Sequence, residues 1–464
     1  MKARLLTWAE KLRQSFWFVP GSMTLIALLM AFGTSWLDRK LLEEVDSQFW
    51  WLFTAGPDGA RAVLSTIAGS TITVAGVVFS ITIVALSLAS QQYGPRLLRN
   101  FMEDRGTQMT LGTFTSVFLY SIIVLRTVRG DEFSLNVPHI SVTVAVALSI
   151  LALGVLIYFI HHVSASIQAD VIIARIGAEL ESSIRELVKV GDERTGGELP
   201  DSPERSWVTV LSTRDGYIQA IDSGSIVKEA MRRDAYVELS RAPGSFVFCG
   251  TPLLRVSPPD ALDDERWLRG NIALGSVRTP TQDVRFSLNL LVEMALRALS
   301  PSLNDPFTAI ACIDRLSAAL AHAGAFRIRK GVWSDSQGTA RLASPPVSFE
   351  DLVEGAYTQI RQSSTRTPAV AIHLLESISG VLMVVVDPVR REILLDEARR
   401  VIEGQALDAM VPADRRRFEL AWAAVTRAAA EEQTTGGRDR PTPSPEARSA
   451  SREEMGSSWV NNNI

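Results

Sequence analysis

The chain has 464 residues, 47% of them hydrophobic, and a formal net charge of −4, so its overall balance gives no electrostatic footprint for nucleic acid. Cys249 and Cys312 stand far apart, which excludes a disulfide framework, and the five histidines fall in no metal-ligand spacing. The apolar excess lies mostly before about residue 163, and the remainder reads as a soluble protein dense in Arg, Asp and Glu.

A spanning helix needs about 20 mostly apolar residues. Four stretches satisfy this: about 17–37, 64–90, 107–125 and 138–160. Residues 1–163 are therefore expected to form a transmembrane domain embedded in the lipid bilayer. Trp17 and Trp36 stand where interfacial anchors belong. The first run follows Lys2, Arg4, Lys11 and Arg13, but it is long and closes on no small-residue cleavage pattern, so it reads as a span rather than a signal. Arg96, Arg99 and Arg105 in the second loop, with Arg175 and Arg185 after span four, join these N-terminal charges on one side. Arg39, Lys40, Arg61, Arg126 and Arg129 lie on the other, diluted by Asp38, Glu43, Glu44, Asp46 and Asp58. That bias places both termini inside.

Span two lies in a charge-free run from Ala62 to Pro95. At alternating steps of three and four it carries Thr66, Gly69, Thr73, Gly76, Ser80, Ile83, Ser87 and Ser90, nearly all small or hydroxylated. Two readings stand. Small residues let helices approach closely in lipid. Hydroxyls ringed about an axis replace part of an ion's hydration shell and line a pore. No span holds a central Asp, Glu, Lys or Arg, which argues against a proton-coupled pump but not against a passive channel. Gly94-Pro95 ends the helix. Leu97, Leu98, Phe101 and Met102 then alternate with polar residues, predicting a short amphipathic helix at the inner face.

The stretch GSTITVAGVVFSITIVALSLASQQYGPRLLRNFMEDRGTQMTLGTFTSVFLYSIIVL, together with ALSPSLNDPFTAI at 298–310, resembles the signatures of a bacterial family of predicted membrane proteins, domain of unknown function 2254. The resemblance covers about residues 10–425. It implies an inner-membrane protein with four spans and a cytoplasmic region, and it carries no catalytic or binding residues.

Beyond the spans, His161 and His162 fall at the inner interface, on different helix faces, as interfacial residues rather than joint ligands. Residues 164–205 read as a helical extension of span four over 164–190 followed by a linker, GDERTGGELPDSPER. Residues 206–260 read as a small β-rich module, a barrel or sandwich, with one strand pair about Asp215-Gly216 and another about Gly250. Its PGSFVFCGTPLLRV is loosely similar to lipoyl-like barrels, without a Lys at a turn tip. Residues 261–431 read as mainly helical, with a helix over 283–299, a hairpin over 327–343 and helices at 349–363, 369–384, 388–404 and 412–431. Gln359, Arg361 and Gln362 read as a solvated helix end. The tail 432–464 is Pro-, Ser- and charge-rich, a composition of disorder. The fold class is thus membrane α-helical with an α+β cytoplasmic region.

Between the first two of these helices lies Ser300-Pro301-x-x-Asn304-Asp305-Pro306. One reading is structural, a helix stop followed by a capped helix start. The other is a ligand loop, in which Ser300, Asn304 and Asp305 present a helix N-terminus to an anion, with Arg278 and Arg297 near in sequence. There is no Walker A, GxSxG, HExxH, kinase or dinucleotide signature, so neither an enzyme nor a cofactor is expected. The lead expectation is a homo-oligomeric channel-like protein gated by its cytoplasmic domain, responding to a small ion or small-molecule effector. The rivals are a membrane-anchored signalling or scaffold protein and an enzyme of lipid or envelope substrates.

Overall fold

The computed structural model describes residues 16–41, 56–94, 104–128, 138–166, 168–193, 206–326, 328, 331–407 and 410–430. The amphipathic helix expected after Pro95, most of the linker before 206 and the tail from 432 lie outside the described residues.

Among the described residues, four helices are long and apolar enough to cross a membrane: α1 (Phe18–Leu41), α2 (Pro57–Tyr93), α3 (Arg105–Thr127) and α4 (His139–Ser166). Each contains the stretch expected from hydropathy, shifted by at most a residue and extended by up to seven. In hydrocarbon the backbone must satisfy its own hydrogen bonds, so runs of this length are helical. Trp17 and Trp36 are both largely exposed and about 28 Å apart along the helix, close to the hydrocarbon thickness. The α2 helix is longer, about 55 Å.

The centre of the bundle is α3, which packs against all three other spans. Of its most apolar 18 residues 61% are buried, against 22%, 17% and 22% for α1, α2 and α4. Its small and hydroxylated residues make this possible. A Cβ at Gly112 would lie 2.6 Å from the Met23 sulfur, so α1 approaches closely there. The Thr24 and Thr115 hydroxyls meet at 3.3 Å, and Thr34 meets the Tyr120 hydroxyl at 2.9 Å.

Polar caps between helices close the bundle at both ends. At one end Asp38, only 6% exposed, accepts from the backbone N–H groups of Ile140 (2.9 Å) and Ser141 (3.0 Å), capping α4 from α1. The buried Tyr120 hydroxyl donates to the Ser141 carbonyl at 3.1 Å, and Arg61 donates to the Val128 carbonyl just past α3 at 3.1 Å. At the other end Asp104 caps α3 through the Thr107 N–H (2.9 Å) and holds His162 of α4 at 2.8 Å. Burial pushes the Asp104 carboxyl up, but the Thr107 and His162 contacts outweigh this and hold it below the usual carboxylate range.

The chain then enters α5 (Ala169–Glu193). It begins as a separate helix after Gln168 rather than continuing α4. Its apolar face, Ile172, Ile173, Ile176, Leu180 and Ile184, joins one large core with α8 (Val284–Ala298), α9 (Pro306–Ala325), α10 (Phe349–Ser363), α11 (Pro368–Leu382), α12 (Pro388–Glu403) and α13 (Pro412–Ala430). Pro opens four of these helices at the first position, where its missing N–H costs nothing.

Among the described residues the strands form two sheets. One has the order β1 (Val208–Leu211), β5 (Pro252–Ser257), β3 (Tyr236–Leu239), β8 (Ala340–Ser344), β7 (Gly331–Ser334). The other has the order β4 (Phe246–Val247), β2 (Gly216–Ile221), β6 (Ile272–Gly275). Two short helices, α6 (Ser223–Arg232) and α7 (Arg266–Arg269), fill connections. Val210, Leu254 and Leu342 from one sheet and Ile218, Val247 and Ile272 from the other share a single core. The two strand pairs expected about Asp215-Gly216 and Gly250 are not hairpins. β1 and β2 belong to different sheets, as do β4 and β5, because each turn crosses from one sheet to the other. The hairpin expected over 327–343 is β7–β8, and it and β6 complete the sheets begun in 206–260, with β8 parallel to β3.

Arg361 is not a solvated helix end either. Its Nε donates to Glu397 at 2.8 Å, and Glu397 is 1% exposed. Removing one partner of a buried pair strands the other charge. Glu397→Ala is expected to cost about 3–5 kcal/mol, read as a lower melting temperature in detergent. Arg361→Met with Glu397→Leu should recover most of the loss.

Candidate functional site

Helix α2 packs on α3 and α4 and turns Ala60, Leu64, Ile67, Thr71, Ala75 and Val78 into the bundle, where they are buried. At 100° per residue the stripe of Thr66, Gly69, Thr73, Gly76, Ser80 and Ile83 lies on the opposite side of the helix. These residues and Ser87 are exposed and Ser90 is half-buried. A Cβ added at Gly69 or Gly76 would meet nothing within 4 Å. Among the described residues the stripe thus packs on no other helix, whereas Gly112 of α3 lies against Met23 of α1.

Its hydroxyls are organised. Thr66 donates to the Ala62 carbonyl at 2.7 Å, Thr73 to Gly69 at 2.8 Å and Ser80 to Gly76 at 2.9 Å. With each proton spent on the helix itself, the oxygen lone pairs remain for an outside donor or cation. The outward faces of α1 and α4 differ, carrying Leu25, Ile26, Leu29 and Phe32 on one and Ile150, Leu153, Ile157 and Ile160 on the other, suited to lipid.

The end of α2 is tied to the region that follows the four helices. Gly94 closes the helix with φ +113 and ψ 150, a backbone region open essentially to glycine alone. A Cβ there would lie 2.6 Å from the Glu293 carboxylate of α8. Arg297 of α8 donates to the Gln91 carbonyl at 3.3 Å and pairs with Glu293 at 3.6 Å. A cation on the last carbonyls of a helix is favourable with its dipole. One end of α8 thus grips span α2.

Its other end lines a cavity of about 570 Å³ between the sheets and the helical core, bordered by Ser182, Leu187, Gln282, Arg285, Trp333 and Pro345. Asp283, 5% exposed, caps α8 through the Arg285 N–H (3.1 Å) and binds Arg278 at 2.5 Å. Burial pushes the Asp283 carboxyl up, and Arg278 offsets this only in part.

The loop residues fall elsewhere. Asp305 caps α9 through the Thr308 N–H (3.2 Å), the Ser300 hydroxyl meets Ser302 at 3.2 Å, and Asn304 takes φ +47. Arg278 is engaged by Asp283 and Arg297 by α2, so neither nearby cation is directed to this loop. Sequence reasoning missed Asp38, Arg361–Glu397 and the cavity, since every one depends on partners distant in the chain. Among the described residues, no three His, Cys, Asp or Glu side chains are placed to hold a metal.

The family's sequence model, described as a predicted membrane protein (DUF2254), matches residues 13–379. The chain belongs to the DUF2254 family. Among its relatives are uncharacterized proteins of Mycobacterium bovis and Mycobacterium tuberculosis. They are 35% identical over 352 residues, covering 73% of this chain and 67% of theirs. No solved structure matches the chain. As a DUF2254 protein it is a membrane protein, with α1 to α4 as its candidate spans.

Gly94→Ala forces a side chain into both a glycine-only backbone conformation and the Glu293 carboxylate. A loss of about 1–3 kcal/mol is expected at this junction. It should appear as faster proteolysis just after α2, with the core formed by α5 and α8 to α13 still protected.

Proposed function

We propose that this protein is a homo-oligomeric channel of a bacterial plasma membrane. In this reading α2 lines or flanks the permeation path, and a cytoplasmic soluble region gates it. The observation that carries the proposal is the outward Gly/Ser/Thr face of α2. In a lone copy it would face lipid, where its glycines and short hydroxylated side chains offer less bulk than Val77, Ile83 and Val84, which are exposed on and beside it. Several copies about an axis would bring the faces together and turn their hydroxyl oxygens toward a common path. Lone pairs without fixed charge favour cations. Four helices in one copy are few for an aqueous path, so the path requires oligomerisation. The copy number follows from how many α2 helices the axis accommodates.

Gating has a physical route. A small effector in the 570 Å³ cavity would shift the N-terminal end of α8, whose other end holds Gln91 and Gly94. The same cavity favours the rival reading, a membrane-anchored signalling protein. The two diverge on flux. Reconstituted in planar bilayers, the protein should conduct, with a reversal potential set by the cation gradient. Thr73→Leu with Ser80→Leu should abolish most of the current while the assembly stays intact. Absence of conductance under voltage, tension and effector alike would leave the signalling reading.

Orientation has a native reporter. Cys249 is exposed, whereas Cys312 is buried and its thiol is pushed up to about 12 by burial, so it is inert. A membrane-impermeant maleimide should spare Cys249 in intact cells and label it after permeabilisation. Labelling in intact cells would place the soluble region outside.

A further inference from the structure

The loop between α8 and α9 carries two apolar side chains into the open. Phe307 is 80% exposed and Leu303 49%. The loop is built to hold them there. The Asp305 N–H donates to the Ala298 carbonyl at 2.8 Å, the Asn304 N–H to Ser300 at 2.9 Å, and Asp305 caps the next helix.

Two independent contacts fix where the loop lies. First, it follows the end of α8 that grips the close of span α2, through Glu293 and Arg297. Second, α9 runs beside α5 in the same direction. Asp170 and Ile173 share a cleft with Ala311, Asp314 and Arg315, and Gly177 lies against Arg315. The start of α9 is therefore level with the start of α5, which begins three residues after span α4 ends at Ser166. Phe307 lies one helical turn before Ala311, toward the membrane. The two contacts place Leu303 and Phe307 beside the ends of α2 and α4, on the side of the spans where the chain passes from α4 into α5.

We infer that Leu303 and Phe307 insert into the boundary between lipid headgroups and acyl chains, as a wedge docking the soluble region onto the bilayer. Amphipathic elements bind this layer through modest apolar area. The occupant is lipid because the surface continues the plane set by the spans. The wedge fixes the height of α8 above the membrane and so the angle at which it meets α2. It also gives the Ser300-to-Phe307 segment a role beyond stopping and starting helices. The inference does not rest on the channel reading.

The test uses the full chain with Cys249→Ser, so that introduced cysteines are the reactive ones. Phe307→Cys and Leu303→Cys are each labelled with bimane and reconstituted in phosphatidylethanolamine/phosphatidylglycerol vesicles, with and without brominated phospholipid. Both labels should shift to the blue on reconstitution and lose emission to the brominated lipid. Val389→Cys is the control: this residue is 71% exposed beside Arg390, which binds the carbonyls at the opposite end of α9, and its label should not respond. Labels at 303 and 307 that remain water-exposed and indifferent to brominated lipid would overturn the inference. So would emission that recovers only when labelled protein is diluted with unlabelled protein, since a second copy would then cover the loop.

Discussion

Everything in the membrane half follows from one constraint. Hydrocarbon offers helices no hydrophobic reason to associate, so they meet only where shape and hydrogen bonding allow. Here α3 provides both, with Gly112 under Met23, Thr115 facing Thr24 and Tyr120 bridging Thr34 to Ser141. Because α3 takes the centre, α2 meets it with an alanine- and isoleucine-lined face. Its glycines and hydroxyls are left turned outward. The outward stripe is thus a consequence of which helix is central, and it is what sets α2 apart from α1 and α4.

The second consequence concerns coupling. A helix of about 55 Å overruns the hydrocarbon, so part of α2 lies beyond it. On the domain side it stops at Gly94 against Glu293 and Arg297, and α8 carries that contact to the cavity beside Asp283. A rigid element gripping a span at one end and bordering a cavity at the other is the arrangement a gate requires. The proposed channel differs from a passive anchor in using it.

Much of this was legible in the sequence, for local reasons. Length and hydropathy suffice for a span, and prolines at 306, 368, 388 and 412 with caps such as Asp305 and Asp387 announce the later helices almost to the residue. Strand partners were not legible. The alternation around Asp215-Gly216 says that strands flank a turn, but not that they part into separate sheets. Asp215 marks the crossing in three dimensions, accepting from the Cys249 N–H at 2.7 Å. Asp38 read as a loop charge because its partners lie about a hundred residues on, and Arg361 read as solvated because Glu397 belongs to another helix. The stripe was visible as a pattern, but its direction depended on α3 taking the centre.

The most direct test of the account is a cysteine scan along α2 in native membranes, in a Cys249→Ser background, read by oxidative cross-linking. If copies meet through the stripe, cross-linked dimers should peak at positions 69, 73, 76 and 80 and fall at 67, 71 and 75, which face α3. A flat profile without cross-links along the helix would show that lipid covers this face, and the proposed assembly would be wrong.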